Sequence, residues 1–74
     1  MKYREQALND NQRIVLKWLK HYYTKNSPHT TVFLAIRTVT ADFNVFIKKN
    51  LSERQQAEVL TAFAQWTIEQ ENVK

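Results

Sequence analysis

The chain has 74 residues, no cysteine, no glycine, one proline and a formal net charge of +4. This length supports one domain, residues 1–74, with a modest core. Without cysteine there is no disulfide framework, cysteine-based zinc finger or thiol nucleophile, and without glycine the phosphate-binding, dinucleotide-binding and calcium-binding loops are excluded.

The hydropathy pattern predicts no membrane-spanning segment. The longest apolar runs, such as residues 31–36, are far shorter than the ~20 residues that cross a bilayer. The first six residues are not followed by the apolar stretch of a secretory signal. We therefore expect a cytoplasmic protein that is not transmembrane.

The first predicted helix covers residues 10–25. Asn9 is placed to act as its N-cap, and Gln12, three residues later, completes a capping box. Asp10 lies where the helix dipole favours a negative charge. Apolar residues recur at helical spacing along the segment: Ile14, Val15, Leu16, Trp18, Leu19, Tyr22 and Tyr23.

The second predicted helix covers residues 28–49, with Ser27 as N-cap and Pro28 at the first helical position. Its main apolar stripe recurs at intervals of four, three, four and three residues: Val32, Ile36, Val39, Phe43 and Phe46. Weak helix formers are concentrated at residues 38–44. They favour a break near residue 40, which would divide this helix into two short ones.

The third predicted helix covers residues 53–71, with Ser52 as N-cap and Gln55 completing a second capping box. We expect its buried spine to be Leu60, Phe63 and Thr67. Short links between the segments force neighbouring helices to run antiparallel.

The predicted fold is therefore all-α. It is a small antiparallel three-helix bundle, or four short helices if the middle one breaks near residue 40. Residues 1–7 and 72–74 are expected to fray.

The sequence offers little material for catalysis. His21 and His29 fall on different elements without metal-ligand spacing, and capping explains both serines, Ser27 and Ser52. We expect no enzyme activity, no metal, no cofactor and no small-molecule substrate.

Positive charge is concentrated in the first half of the chain. Residues 1–25 carry six basic and two acidic groups, whereas residues 51–74 carry two and four. A basic face on the first helix is formed by Arg13, Lys17, Lys20 and His21. This face is either solvated or a docking surface for a phosphate backbone or an acidic partner protein.

The chain also carries more apolar residues than one small core needs. Trp18, Tyr22 and Tyr23 are candidate interface anchors, because tryptophan and tyrosine dominate interface hot spots. A second stripe on the middle helix, Leu34, Ala41 and Val45, lies opposite its core-facing stripe. A competing interpretation is that a kink near Thr40 turns this stripe inward.

These features predict a small regulatory or protein-interaction module that binds a protein partner, including itself, as a homodimer. One alternative is a small basic nucleic-acid-binding protein. A second alternative is an immunity-type protein that docks to a membrane-associated target.

Overall fold

Four α-helices follow one another in the computed structural model, which describes residues 8–27 and 29–73, the last three as helical backbone only. They are α1 (Asp10–Asn26), α2 (Val32–Asp42), α3 (Asn44–Asn50) and α4 (Glu53–Val73). The all-α prediction is confirmed. Of the ends expected to fray, residues 1–7 and 74 lie outside the described residues. Residues 72 and 73 belong to α4, and fraying stays a prediction.

Two of the three predicted helix starts are confirmed. In α1 the backbone N–H of Gln12 donates to Asn9 Oδ1 at 2.8 Å, and the backbone N–H of Asn9 donates to Gln12 Oε1 at 2.9 Å. In α4 the N–H of Gln55 donates to Ser52 Oγ at 3.2 Å, and the N–H of Ser52 donates to Gln55 Oε1 at 2.8 Å. Each reciprocal box satisfies first-turn N–H groups that the helix itself leaves without partners.

The predicted start of the middle helix is wrong. Ser27 is the C-cap of α1, with φ −68° and ψ 142°, and Pro28 lies outside the described residues. The chain turns after α1 through a hydrogen bond from the N–H of His29 to the carbonyl of Asn26 at 2.8 Å. The helix α2 begins later, where Thr31 Oγ1 accepts from the N–H of Leu34 at 3.1 Å. A threonine cap therefore replaces the expected Ser-Pro start.

The middle segment does break, at Phe43. This residue leaves the helical region, with φ −112° and ψ 23°, so the predicted alternative of four short helices is confirmed. Hydrogen bonds of helical spacing continue across the break, from Phe43 N–H to Val39 O and from Ile47 N–H to Phe43 O, both at 2.9 Å. The break therefore takes one residue out of the helical conformation. The same side of the segment faces the core before and after it.

The central element is α1, which packs against both α2 and α4. Its first turn is hydrogen-bonded to the first turns of α4, where Gln12 Nε2 donates to Glu58 Oε1 at 2.8 Å. Its last turns meet the middle of α4, where the rings of Tyr23 and Trp66 are 6.0 Å apart. The helices α1 and α4 therefore run in the same direction. The helix α2, which lies between them in the sequence, runs antiparallel to both.

The core is formed by apolar side chains from all four helices and from the residues before α1 and α4. Phe63, with no exposed surface, lies at its centre. The buried apolar residues are Leu8, Val15, Leu16, Leu19, Ala35, Val39, Ile47, Leu51, Val59, Ala62 and Phe63.

The predicted spine of α4 is confirmed at Phe63 and Thr67 and wrong at Leu60, whose side chain is 41% exposed. Among the described residues, α4 packs mainly on α1 and meets α2 only slightly. The buried side of α4 is therefore centred on Val59 and Phe63, and Leu60 falls on its edge towards α2.

The polar side chain of Gln12 is buried in the interface between α1 and α4 and is only 2% exposed. Its Nε2 donates to the carbonyl of Gln55 at 3.0 Å and to Glu58 Oε1 at 2.8 Å. Its Oε1 accepts from the backbone N–H of Asn9. Because every strong hydrogen-bonding group of the amide has a partner, burial of this polar side chain stabilises one register of the two helices.

We expect Gln12→Ala to lower the free energy of unfolding by about 2–4 kcal/mol, since it removes a cap, a bond to a carboxylate and buried volume together. Gln55→Ala is the matched control, because the Gln55 side chain holds the same capping-box position through its bond from Ser52, while the backbone carbonyl that accepts from Gln12 is kept. It should cost only about 0.5–1 kcal/mol. Urea unfolding followed by circular dichroism measures both. Equal losses would show that Gln12 acts only as a cap.

Candidate interaction surfaces

The predicted basic face, Arg13, Lys17, Lys20 and His21, lies along the solvent side of α1. Three of its members make intramolecular contacts: the His21 ring stands edge-on to that of Trp18 at 6.2 Å, and the other two contacts involve charged groups. Arg13 Nη1 is 3.6 Å from Asp10 Oδ1, and Lys20 Nζ lies 5.5 Å from the centre of the Trp66 ring. Lys17 and His21 are exposed. The four residues share a face, but they are not four equivalent solvent-facing cations.

The three predicted aromatic anchors differ in how much surface they present. Tyr22 and Tyr23 are half-buried and pack against the core, and Tyr23 makes edge contacts with Phe63 and Trp66 at 6.0 Å. These two tyrosines therefore contribute more to the fold, and less to a free surface, than predicted.

Trp18 combines both roles. Its ring centre lies 5.0 Å from that of Phe43 at a tilt of 32°, so it packs beside the break between α2 and α3. The side chain is nevertheless 44% exposed.

The outer sides of α2 and α3 carry an exposed apolar surface. The predicted stripe is present there: Leu34, Ala41 and Val45 are all exposed, Val45 by 77%. Sequence reasoning missed Phe33, which is 85% exposed. The spacing of Phe33, Arg37 and Ala41, at i, i+4 and i+8, is the signal that could have found it. We call Phe33, Leu34, Ala41 and Val45 the outer α2–α3 face.

The break at Phe43 does not turn this face inward, so the competing interpretation of a buried stripe is wrong. The helical hydrogen bonds across the break keep Val39 and Ile47 buried on the inner side. With those residues fixed inside, the side chains at positions 41 and 45 remain outside.

A small apolar opening lies between α2 and α4, beside Leu60. It has a volume of about 170 Å³, and Ile36, Val39 and Val59 are among its lining residues. This volume is below the roughly 300–1,000 Å³ of small-molecule pockets. Across residues 8–27 and 29–73, no group of three or more His, Asp or Glu side chains is placed to hold a metal ion. In the same part of the chain, no helix is long and apolar enough to cross a membrane.

Comparison with known proteins finds no matching family model, no matching curated protein and no matching solved structure.

The contact between Lys20 and Trp66 gives a test within the basic face. We expect Lys20→Ala to lower the free energy of unfolding by about 0.5–1 kcal/mol, because it removes a cation–π contact and the packing of a lysine stem. Lys17→Ala, at an exposed site on the same face, should change it by less than about 0.5 kcal/mol. Thermal and urea unfolding measure both, and equal effects would contradict the assignment of Lys20 to the fold.

Proposed function

We propose that this chain is a small non-enzymatic interaction module that associates with a second copy of itself through the outer α2–α3 face. The observation that carries the proposal is the exposure of Phe33 and Val45, at 85% and 77%. Large apolar side chains exposed together on a small domain usually mark an interface.

The size of the face suits a weak dimer. Phe33, Leu34 and Val45 together expose on the order of 300 Å² of apolar surface. A standard interface covers about 800 Å² of each partner, with an apolar centre and a polar rim. The outer α2–α3 face would supply that centre, and neighbouring exposed residues such as Thr40 and Asn44 would supply part of the rim.

A second copy is the occupant we favour because one face can be complementary to itself across a two-fold axis. With the axis midway between residues 39 and 40, Leu34 of each copy meets Val45 of the other. Ala41, between them, is small enough for the helices to approach closely. Arg37, four residues after Phe33 and four before Ala41, is an exposed basic residue on this side. The two Arg37 side chains would lie five residues apart, about 7.5 Å along the axis.

This arrangement predicts how the dimer responds to salt. Repulsion between the two Arg37 side chains is screened as ionic strength rises, so association should persist or strengthen. Nucleic-acid binding, the main alternative, depends on phosphate contacts and weakens steeply with salt. The contacts of Arg13 with Asp10 and of Lys20 with Trp66 also disfavour that alternative. The regulatory role and the cytoplasmic location stay predictions.

Size-exclusion chromatography with light scattering tests the proposal. The protein should approach about 18 kDa, twice its mass of 8.9 kDa, as its concentration rises to about 200 µM. Val45→Glu and Phe33→Glu should each return it to the monomer mass with helicity unchanged, because a charge would be buried in the apolar centre.

Ile68→Glu is the matched control, since Ile68 is also an exposed apolar residue but lies on α4. It should leave the dimer intact. A wild-type monomer at about 200 µM, or a dimer that Ile68→Glu dissociates and Val45→Glu does not, would contradict the proposal.

A further inference from the structure

A second apolar opening lies on α1, away from the outer α2–α3 face. It is a groove of about 320 Å³ lined by Ile14, Lys17, Trp18 and His21. Ile14 and Trp18 form its apolar part and are 43% and 44% exposed. The groove is wide enough for one bulky apolar side chain of another molecule.

The rim of this groove is positively charged. Lys17 also lines an adjacent hollow, of about 330 Å³, whose other lining residues are Arg13, Leu16 and Lys20. Among the described residues, no acidic side chain lines either opening. Asp10, near one end, is held by Arg13 at 3.6 Å. The surface therefore presents an apolar site beside the exposed Lys17, which is complementary to an apolar side chain flanked by carboxylates.

We infer that this groove binds an acidic amphipathic segment of a partner protein. A leucine or phenylalanine of that segment would pack between Ile14 and Trp18. Carboxylates on either side of it would lie against Lys17 and His21, whose side chains are exposed. A helix that lays an apolar side chain into a groove, with charges at the edge that fix its register, is a common mode of peptide recognition.

The aromatic contacts favour a peptide over a nucleic acid. The Trp18 ring already packs on Phe43 at 5.0 Å with a tilt of 32°. The His21 ring stands against it at 87° and 6.2 Å. Recognition of a single strand depends on open aromatic faces on which bases stack, and the Trp18 ring already has two rings packed against it. The remaining site, with the aliphatic wall of Ile14, suits a side chain.

A nuclear magnetic resonance titration tests this inference. The probe is a synthetic peptide of about 16 residues that carries leucine at i, i+4 spacing and glutamate elsewhere on its sequence. Adding it to isotope-labelled protein should shift the indole N–H signal of Trp18 and the amides of Ile14 and His21. The amide of Phe33, on the outer α2–α3 face, should stay in place.

Two variants separate the charged and apolar contributions. Lys17→Glu should weaken binding at least about 10-fold, and Ile14→Gln should weaken it to a similar extent. The matched control is Lys48→Glu, the same change at an exposed lysine on α3, and it should change affinity less than about 2-fold. The amide spectra of the variants check that each is folded. Val45→Glu should bind the peptide like the wild type, so this result is independent of dimer formation.

Three outcomes would overturn the inference. The first is the absence of shifts at about 1 mM peptide. The second is equal binding of a peptide with its leucines changed to alanine, which would mean that charge alone is recognised. The third is binding of a single-stranded oligonucleotide that is tighter than that of the peptide and is lost in Lys17→Glu, which would assign the groove to nucleic acid.

Discussion

The fold depends on one buried amide, that of Gln12. It completes the capping box of α1 and also bonds to the carbonyl of Gln55 and the carboxylate of Glu58 in the first turns of α4. A buried amide without partners costs about 1–3 kcal/mol. The register in which the starts of α1 and α4 lie side by side satisfies it. This register gives α1 and α4 the same direction, and α1 is the central helix because it packs against both α2 and α4.

The exposed surfaces follow from that arrangement. Because α4 covers one side of α1 and α2 covers another, the solvent side of α1 is left with its cations and with the groove beside Trp18. The helices α2 and α3 pack inward on α1 through residues such as Val39 and Ile47. Their opposite side has no partner within the described chain, and it is there that Phe33 and Val45 are exposed. A bundle of so few helices has too little interior to cover every apolar side chain.

Local features were predictable from the sequence, and features set by distant contacts were not. The capping boxes at Asn9 and Ser52 each depend on four consecutive residues, and the break at Phe43 falls within the local run of weak helix formers at residues 38–44. The late start of α2 was missed because Ser27 and Thr31 are both competent caps, and the turn after Asn26 decides between them. The exposure of Leu60 depends on how closely α4 approaches α2, and the pairing of Lys20 with Trp66 joins residues far apart in the chain. Neither relation leaves a local pattern.

Hydrogen exchange of the Gln12 side-chain amide, followed by nuclear magnetic resonance, tests the central role of this residue most directly. Both Nε2 protons are donated within the protein, so they should exchange far more slowly than those of the exposed Gln70. They should also show cross-relaxation to protons of Glu58. Exchange as fast as that of Gln70, without contacts to α4, would contradict the account, because α1 and α4 would then be joined by apolar packing alone.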